Sequence, residues 1–433
     1  MMRDALKNNK LKPNIDSNWL ADNIVTLIFF GFTIFGFIVS DGMSMTYFLT
    51  ELSSRFFRNA FLVLSLIIPV VAGLGLNFGI VVGAMSGQIA IAIVRYHALG
   101  GVSGIILTFL IAFPIAAFFG YLTGRLYNKT RGQEMIASLI VGFFANGIYQ
   151  FLFLFAVGVI IKVPASHPMI KTDGVGVRMT VDLVAFEEGG LKYALDNLWR
   201  MPFMWAVFSV SVIILGLQLL KIMKSKKRPS IRINKTLTGF VMIAFLGLGT
   251  FSLIAIFSGS SLMYVRDVPV VVGLLIIILC AFNALILKTK MGQDFRSVGQ
   301  SQHIAAVSGI NVDRTRIIAT MISTVLAAWG QIMFLQNMGT LNTYGAHTQI
   351  GMFSVACLLV GGASTQKAGV RHAIVGTILF NSMFIMSPEI GQAVFGNALL
   401  GEYFRTFMVY GVIGMALGMH VWRTNKNAKI TID

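Results

Sequence analysis

Charged side chains are scarce in this sequence: Asp, Glu, Lys and Arg together make up 12% of the 433 residues, whereas hydrophobic residues make up 56%. An ordinary soluble domain carries about a quarter charged residues. The mean hydropathy is +0.79, and 35 Phe and 23 Met add apolar surface that one globule could not bury. This composition excludes a soluble fold and predicts a protein that lies in the membrane almost from end to end.

Cysteine and the usual enzyme signatures are nearly absent as well. Cys280 and Cys357 both lie in apolar runs, which excludes a disulfide framework and a Cys-based metal site. The sequence has no G-x-x-x-x-G-K-[ST] phosphate loop, no H-E-x-x-H, no G-x-S-x-G and no His pair at metal-ligand spacing. The six histidines lie mainly near the ends of apolar runs, where a hydrated imidazole is expected. We therefore expect no catalytic residue, no metal and no cofactor.

Twelve apolar segments of about 17 or more residues are candidates for membrane-spanning helices, which need about 20 residues. They are 21–40, 58–75, 78–94, 102–124, 137–161, 202–222, 238–258, 268–287, 317–337, 349–366, 370–386 and 403–422. Segments 78–94 and 349–366 are rich in Gly and Ser and are expected to be broken or re-entrant. The prediction is an all-α polytopic membrane protein with about 10 to 12 transmembrane or half-spanning helices in two related halves.

The basic residues predict the orientation of these segments. If the N-terminus is cytoplasmic, the inner segments hold 24 of the 34 Lys and Arg residues, as the positive-inside rule requires. Both termini are then cytoplasmic, with tails at 1–20 and 423–433 around a transmembrane domain at 21–422. The net charge of +17 therefore reflects topology and membrane lipid, and no nucleic-acid partner is expected. The basic loop 221–235 is interpreted as a lipid anchor, with a regulatory site as the alternative.

A polar insertion at 163–200 falls on the outer side of this topology. We expect it to fold into an external cap with one amphipathic helix near Leu191 to Trp199, and docking of an external partner is the further alternative. The cores of the twelve predicted spans contain no Asp, Glu, Lys or Arg. Because transporters driven by protons or ions keep ionisable groups at membrane depth, energy is expected to enter this protein elsewhere, and no buried ion pair is expected to hold the solute.

Amides and glycines are the polar features that the predicted spans do carry. An amide in hydrocarbon needs a partner, so each one faces another helix or a watery cavity. Asn77, Phe78 and Gln88 lie in the first Gly-rich run, GLGLNFGIVVGAMSGQIA, and a second such run follows from 349 to 381. We expect Asn77 and Gln88 to approach the turn from Gly361 to Ser364 and to line a pathway; contact between helices is the alternative role.

The loop from 288 to 316 is much longer than the 2 to 8 residues that a plain helix connection needs. Ser301 can cap a short helix at Gln302–Val307, and Gly309 can end it. The small residues Ala305 and Ala306 suit a close contact, so this cytoplasmic helix is expected to dock into a groove on a partner.

This loop, FRSVGQSQHIAAVSGINVDRTRI, resembles the coupling segment of permease subunits of bacterial ABC importers, in the family that serves ribose and other simple sugars, branched-chain amino acids and nucleosides. The following ISTVLAAWGQIMFLQNMG and VACLLVGGASTQKAGVRHAIVGTIL resemble the next span and the Gly-Gly turn of that family. The sequence GLNFGIVVG around Asn77 departs from the acidic stretch that is usual in the sugar permeases.

The resemblance implies a permease that imports a small polar solute of sugar or nucleoside type, in the cell membrane, with ATP hydrolysed on a separate subunit. It also implies an extracytoplasmic solute-binding protein and a second permease subunit, identical or homologous. A stand-alone secondary transporter or channel and a membrane scaffold are the alternatives. The residues expected to carry ATPase coupling are Arg296, Gly299, Gln302, His303, Ala305, Ala306 and Gly309. Those expected in the translocation pathway are Asn77, Phe78, Gln88, Gly361, Gly362 and Ser364.

Overall fold

The structure is a computed structural model, and it describes residues 17–40, 42–164, 166–171, 173–184, 190–227 and 235–430. Most of the N-terminal tail, the end of the C-terminal tail, the acidic pair within the 163–200 insertion and residues 228–234 of the basic loop lie outside the described residues.

Helices dominate the described residues, as the sequence predicts. They are α1 (Ser17–Val39), α2 (Met45–Leu64), α3 (Ile67–Val71), α4 (Ile80–Tyr96), α5 (Gly101–Lys129), α6 (Glu134–Phe151), α7 (Val157–Val159), α8 (Phe203–Lys227), α9 (Lys235–Phe257), α10 (Val270–Ile286), α11 (Lys290–Gln300), α12 (Gln302–Val307), α13 (Val312–Met338), α14 (Ile350–Val360), α15 (Val370–Phe395) and α16 (Ala398–Ile430). A π-helical turn at Leu152–Ala156 joins α6 to α7, and a 3-10 turn lies at Ser261–Tyr264. The short strands are β1 (Thr180–Asp182), β2 (Arg200–Met201), β3 (Val268–Pro269) and β4 (Thr340–Asn342).

Every one of the twelve predicted apolar segments contributes to a helix, so the prediction of an all-α polytopic membrane protein is confirmed. Among the described residues, seven helical stretches are long and apolar enough to cross a membrane, and α10 with α11, bent by 72°, forms an eighth candidate. Helix α14 has only 11 residues. At about 1.5 Å per residue it spans roughly half of the hydrocarbon core. Segment 349–366 is therefore broken, as expected. The same expectation is wrong for segment 78–94, because α4 runs unbroken over 17 residues.

The glycines on one face of α4 allow this helix to pack closely against α13. Helix α13 packs against α4 and α5. A Cβ atom on Gly83 would overlap the Thr324 carbonyl, and one on Gly87 would lie 2.6 Å from the Ala328 carbonyl oxygen. The run of glycines thus lets two backbones come into contact, which is one of the two roles that the sequence left open.

Two breaks in the helices carry glycines in the left-handed conformation. Gly73 (φ +75°) lies between α3 and α4, and Gly362 (φ +89°) lies between α14 and α15. A Cβ atom on Gly361 would overlap the His372 carbonyl, and one on Gly376 would overlap the Cys357 carbonyl. The second break is therefore a tight hairpin of α14 against α15, which only glycine permits.

The cores of the twelve predicted segments contain no ionisable group, but the helix that includes segment 58–75 is longer than predicted. The stretch from α2 through α3 begins at Met45 rather than at residue 58, and it carries Glu51, Arg55 and Arg58. Such groups are tolerated in a membrane-spanning segment where they face a watery cavity instead of lipid. Because residues 45–58 include many polar side chains, a search for apolar runs places the start of this helix too late.

A buried ion pair joins helices α6 and α13, just outside the predicted segments 137–161 and 317–337. Arg316 Nη2 lies 2.6 Å from Glu134 Oε1 and 3.0 Å from the Tyr127 carbonyl oxygen, and the Arg316 side chain is completely buried. Because Glu134 begins α6 and Tyr127 lies near the end of α5, this pair ties the ends of three helices together.

The insertion at 163–200 contains no helix among its described residues, so the predicted amphipathic helix at Leu191 to Trp199 is wrong. This stretch forms turns because Tyr193 has a left-handed conformation (φ +54°) and donates its N–H to the Gln336 carbonyl oxygen at 2.8 Å. Strand β1 pairs antiparallel with β4, and β2 pairs antiparallel with β3. Backbone hydrogen bonds therefore join the insertion to the residues that follow α13 and to those that precede α10.

Candidate functional site

A cavity of about 540 Å³ lies between α2, α13, α14 and α15. Segment 340–349, which leads from α13 to α14, contributes Thr340, Asn342 and Thr348 to its wall. Strand β1 and the neighbouring backbone of the insertion hold this segment in place: Thr343 Oγ1 donates to the Arg178 carbonyl oxygen at 2.9 Å. The insertion therefore braces one wall of the cavity.

Polar side chains from both halves of the chain meet in this cavity. Asn59 of α2 donates from Nδ2 to Oδ1 of Asn381 on α15 at 3.1 Å, and Asn381 Nδ2 donates to the Thr377 carbonyl oxygen at 2.7 Å. Gln349, before α14, and Ser354, within it, also line the cavity. The cavity therefore presents amides and a hydroxyl from three helices and a connecting segment to anything that enters it.

Aromatic rings form the apolar part of the cavity wall. The Phe353 and Phe384 centroids lie 5.2 Å apart, and those of Phe380 and Phe384 lie 4.7 Å apart. Such rings offer flat apolar faces to a ligand. A cavity that combines rings with a few amides suits a small solute with polar edges and an apolar face.

Two arginines complete the cavity lining. Arg55 Nε lies 3.3 Å from Glu51 Oε2 on the same helix. The Arg58 guanidinium lies over the Phe334 ring, 5.3 Å from its centroid, and Arg58 Nη1 lies 2.8 Å from Met338 Sδ. Sequence reasoning missed these residues, although the spacing of Arg55, Arg58 and Asn59 at i, i+3 and i+4 places them on one face of a helix.

The predicted pathway residues lie elsewhere. Asn77 is buried, and its Oδ1 accepts hydrogen bonds from Tyr127 Oη at 2.9 Å and from the Gly79 N–H at 3.0 Å. The Phe78 N–H donates to Ser138 Oγ at 3.1 Å. These bonds fix the break before α4 against α5 and α6.

The structure does not bring Asn77 and Gln88 to the turn from Gly361 to Ser364, as the sequence led us to expect. That turn lies against α1, where Thr26 Oγ1 donates to the Val360 carbonyl oxygen at 2.7 Å. A Cβ atom on Gly362 would lie 3.4 Å from the same Thr26 oxygen. The turn is therefore a packing site between α1, α14 and α15.

Gln88 belongs to a buried network around His347. His347 Nδ1 lies 2.9 Å from Gln88 Oε1, and its Nε2 lies 2.7 Å from Asn146 Oδ1. A neutral imidazole donates from only one ring nitrogen, so one of these amides must present its NH₂ group. Turning the Gln88 amide by 180° meets this need, because its Nε2 is otherwise buried without a partner and would then face His347 Nδ1.

His347 also departs from the expectation of hydrated histidines near span ends. It lies in the segment before α14 and is completely buried. Burial lowers the pKa of His347 to about 4. Its imidazole is therefore neutral at physiological pH and serves as a hydrogen-bonding hub between α4, α6 and the segment before α14.

The predicted coupling helix forms with the predicted ends. Helix α12 spans Gln302–Val307, Ser301 Oγ accepts a hydrogen bond from the Ile304 N–H at 3.3 Å, and Gly309 has a left-handed φ of +78°. Two large apolar side chains on α12, Ile304 and Val307, are 66% and 78% exposed. This helix therefore presents an apolar surface with no cover in the described structure.

The residues singled out in this loop divide into outward-facing and inward-facing groups. Arg296, His303, Ala306 and Gly309 are exposed, and Gln302 is half-buried. Ala305 is only 2% exposed because it packs in a small cluster with Val298 and Val312. Ala305 thus anchors α12 to the chain itself, and it does not face a partner as the sequence had suggested.

Gly299 faces inward as well. A Cβ atom on Gly299 would overlap the Val71 carbonyl and lie 3.1 Å from the Gly73 nitrogen. The end of α11 therefore packs against the first break in the helices.

Among the described residues, no group of three or more His, Cys, Asp and Glu side chains could hold a metal ion.

The sequence of this chain is similar to a protein family and to several known proteins. Residues 48–417 match the family described as "Branched-chain amino acid transport system / permease component". The probable ABC transporter permease protein YphD of Escherichia coli K12 is 33% identical over 164 residues, which cover 37% of this chain and 47% of the relative. The xylose transport system permease protein XylH of Haemophilus influenzae is 26% identical over 197 residues, 46% of this chain and 48% of the relative.

The autoinducer 2 import system permease protein LsrC of Shigella flexneri is 34% identical over 110 residues, 25% of this chain and 31% of the relative. The chain thus spans less than half the length of these curated relatives in each alignment, and no solved structure matches it. The family match, in contrast, extends over most of the chain and includes both breaks, the cavity and helix α12. This multi-pass membrane protein belongs to the family of branched-chain amino acid transport system permease components.

Proposed function

We propose that this chain is the transmembrane permease subunit of an ATP-driven (ABC) importer in the cell membrane. The observation that carries the proposal is the pairing of a cavity between two halves of the chain with an exposed apolar helix, α12. Its relatives named above include permeases for xylose and autoinducer 2. A chain that binds a solute in one place and docks a motor in another needs both features.

The solute is a small polar molecule of sugar or nucleoside type. Asn59, Gln349, Ser354 and Asn381 supply hydrogen-bonding groups for hydroxyls, and the Phe rings supply apolar faces. Polar groups placed in a largely apolar pocket orient a ligand and set its specificity. Asn77 and Gln88 keep structural roles in this proposal, because their hydrogen-bonding groups serve other helices.

Alternating access would use the two breaks as joints. Gly73 contacts Gly299, and Gly361 contacts α15, without room for a side chain between the backbones. At each break, one backbone segment would therefore shift directly against the other. Packed elements of this kind shift between discrete arrangements rather than deforming continuously.

Energy enters through a separate ATP-binding subunit, which would receive α12 in a groove. Ile304 and Val307 form the apolar contact, with His303 and Ala306 beside them, while Arg296 on α11 offers a positive charge. The chain itself is then not an enzyme. An extracytoplasmic solute-binding protein and a second permease subunit, identical or homologous, complete the importer.

Ala306→Trp tests this assignment. We expect a bulky side chain here to block docking, because overpacking a close contact costs about 1 to 3 kcal/mol. The tagged chain is purified from the membranes of its native cells, and the ATP hydrolysis that co-purifies is measured. Wild-type chain should bring an ATPase with it, and Ala306→Trp should lose most of it.

Ala398→Trp, at an exposed alanine that begins the last helix, is the matched control and should retain the ATPase. If wild-type chain brings no ATPase, or if both variants retain it equally, the coupling assignment fails and a stand-alone transporter becomes the better interpretation.

A further inference from the structure

We propose that the solute carries an anionic group, a carboxylate or a phosphate, and that Arg58 is its counter-charge. This inference rests on the proposed function, because it names the class of solute that the 540 Å³ cavity accepts. It begins from the ionic groups around the cavity.

Arg58 is the arginine of this cavity that lacks an acidic partner. Among the described residues, ion pairs join Arg55 to Glu51, Arg131 to Asp313, Arg316 to Glu134 and Arg405 to Glu402. Arg55 also lines the cavity, but Glu51 neutralises it. Glu51 also acts on Arg58 electrostatically, but one carboxylate faces two arginines, so this side of the cavity carries a net positive charge.

The contacts of Arg58 do not replace an anion. Its guanidinium meets the Phe334 ring and the Met338 sulfur, and its Nε is shielded from solvent without a hydrogen-bond partner. An arginine has five N–H donors, and a sulfur atom and a ring are weak acceptors for them. The Arg58 side chain is half-buried, and holding a charge partly out of water without an ionic partner is costly, so its place beside a cavity indicates that a ligand supplies the partner.

The geometry selects the chemical class of that partner. Guanidinium groups bind carboxylate and phosphate through two parallel hydrogen bonds, whereas a hydroxyl accepts only one uncharged bond. Phe334 and Met338 hold the group against α13, so it is positioned before a ligand arrives. The remaining polar lining, Asn59 and Gln349, is left for hydroxyl or amide groups of the same molecule. Among solutes of sugar or nucleoside type, one that carries such an anionic group would pair with Arg58, and a neutral one would leave it unpaired.

Simple anions test the site without knowledge of the solute. The purified full-length chain in detergent is heated with millimolar acetate, with inorganic phosphate, or with chloride at equal ionic strength, and the midpoint of thermal unfolding is measured. We expect acetate or phosphate to raise the midpoint, and chloride to have little effect. The anion that acts at the lower concentration identifies the group as carboxylate or phosphate.

Arg58→Gln should raise the dissociation constant of that anion at least about tenfold, the usual result of removing one partner of a shielded charge pair. Arg58→Lys should recover part of the binding, since the charge remains but the forked geometry is lost. Arg125→Gln is the matched control, because Arg125 lies over the Tyr121 ring on α5, outside the cavity, and it should bind as wild type does. Each variant is first checked for a monodisperse elution profile.

The inference is overturned if neither anion stabilises the wild-type chain beyond chloride, or if Arg58→Gln responds as wild type does. This measurement needs no ATPase. If no anion response is seen but an ATPase co-purifies, the chain is still a permease, and its solute is neutral. If an anion response is seen but no ATPase co-purifies, the anion site stands and the proposed importer is wrong.

Discussion

Gly73 and Gly299 lie in direct backbone contact: a Cβ atom on Gly73 would be 2.7 Å from the Gly299 Cα atom. Gly73 belongs to the break before α4, and Gly299 is the penultimate residue of α11, just before the exposed helix α12. Nothing compressible separates the two segments, so a displacement of α12 by a partner would reach the break directly. This contact gives a physical route from the proposed coupling loop to the transmembrane helices.

Gly299→Ala should therefore weaken both stability and coupling. Its methyl group would overlap the Val71 carbonyl, and such overpacking costs about 1 to 3 kcal/mol. We expect a lower unfolding temperature and a smaller ATPase activity that co-purifies with the chain. Gly216→Ala is the matched control, since a Cβ atom there would meet nothing within 4 Å. Equal behaviour of the two variants would show that the contact carries no strain and no coupling.

Asn77 should prove structural. Asn77→Leu removes the acceptor for Tyr127 Oη and for the Gly79 N–H, and leaving buried donors unpaired costs about 1 to 3 kcal/mol each. We expect a clear loss of thermal stability, whereas Tyr127→Phe should lose less, because it removes one donor and leaves Asn77 with its backbone bond. A wild-type unfolding temperature for Asn77→Leu would contradict this role and favour the pathway role that the sequence suggested.

His347 should make stability depend on pH. Its pKa is about 4 in the folded chain, whereas an unfolded histidine has its ordinary value near 6.5. Between these values only the unfolded state takes up the proton, so stability is complete above about pH 6.5 and falls as the pH drops towards 4, by up to about 1.4 kcal/mol per pH unit.

His347→Asn should flatten this part of the pH profile of thermal unfolding. The exposed His303 provides the control His303→Asn, which should keep the wild-type slope. Identical profiles for wild type and His347→Asn would mean that His347 is not held neutral by its buried network.

The orientation in the membrane rests on the distribution of basic residues, and cysteine labelling measures it. In a background without Cys280 and Cys357, we expect a cysteine at Val307 to react from the cytoplasmic side and one at Asp173 to react from outside with a membrane-impermeant maleimide. Both positions are exposed in the structure. External labelling at Val307 would reverse the topology and place α12 out of reach of any ATP-hydrolysing subunit.

The sequence by itself was sufficient for features that depend on neighbouring residues. Helix α12 formed at Gln302–Val307 because its cap, Ser301, and its terminating glycine, Gly309, lie within the loop. The apolar segments became helices because a chain in lipid must satisfy its backbone hydrogen bonds within each segment. The run of small residues indicated the broken segment 349–366, but the same pattern in segment 78–94 belongs to the unbroken helix α4.

Only the tertiary structure decided which polar groups meet. Asn59 pairs with Asn381, more than three hundred residues away, and Asn77 pairs with Tyr127, so one amide of the first half faces a cavity and the other fixes a helix. Local pattern does not distinguish these roles, since both amides lie in apolar runs. Arg58 was likewise missed because its place beside Phe334 and Met338 depends on how α2 packs against α13. Contacts between distant segments are set by the packing of whole helices, which no single segment encodes.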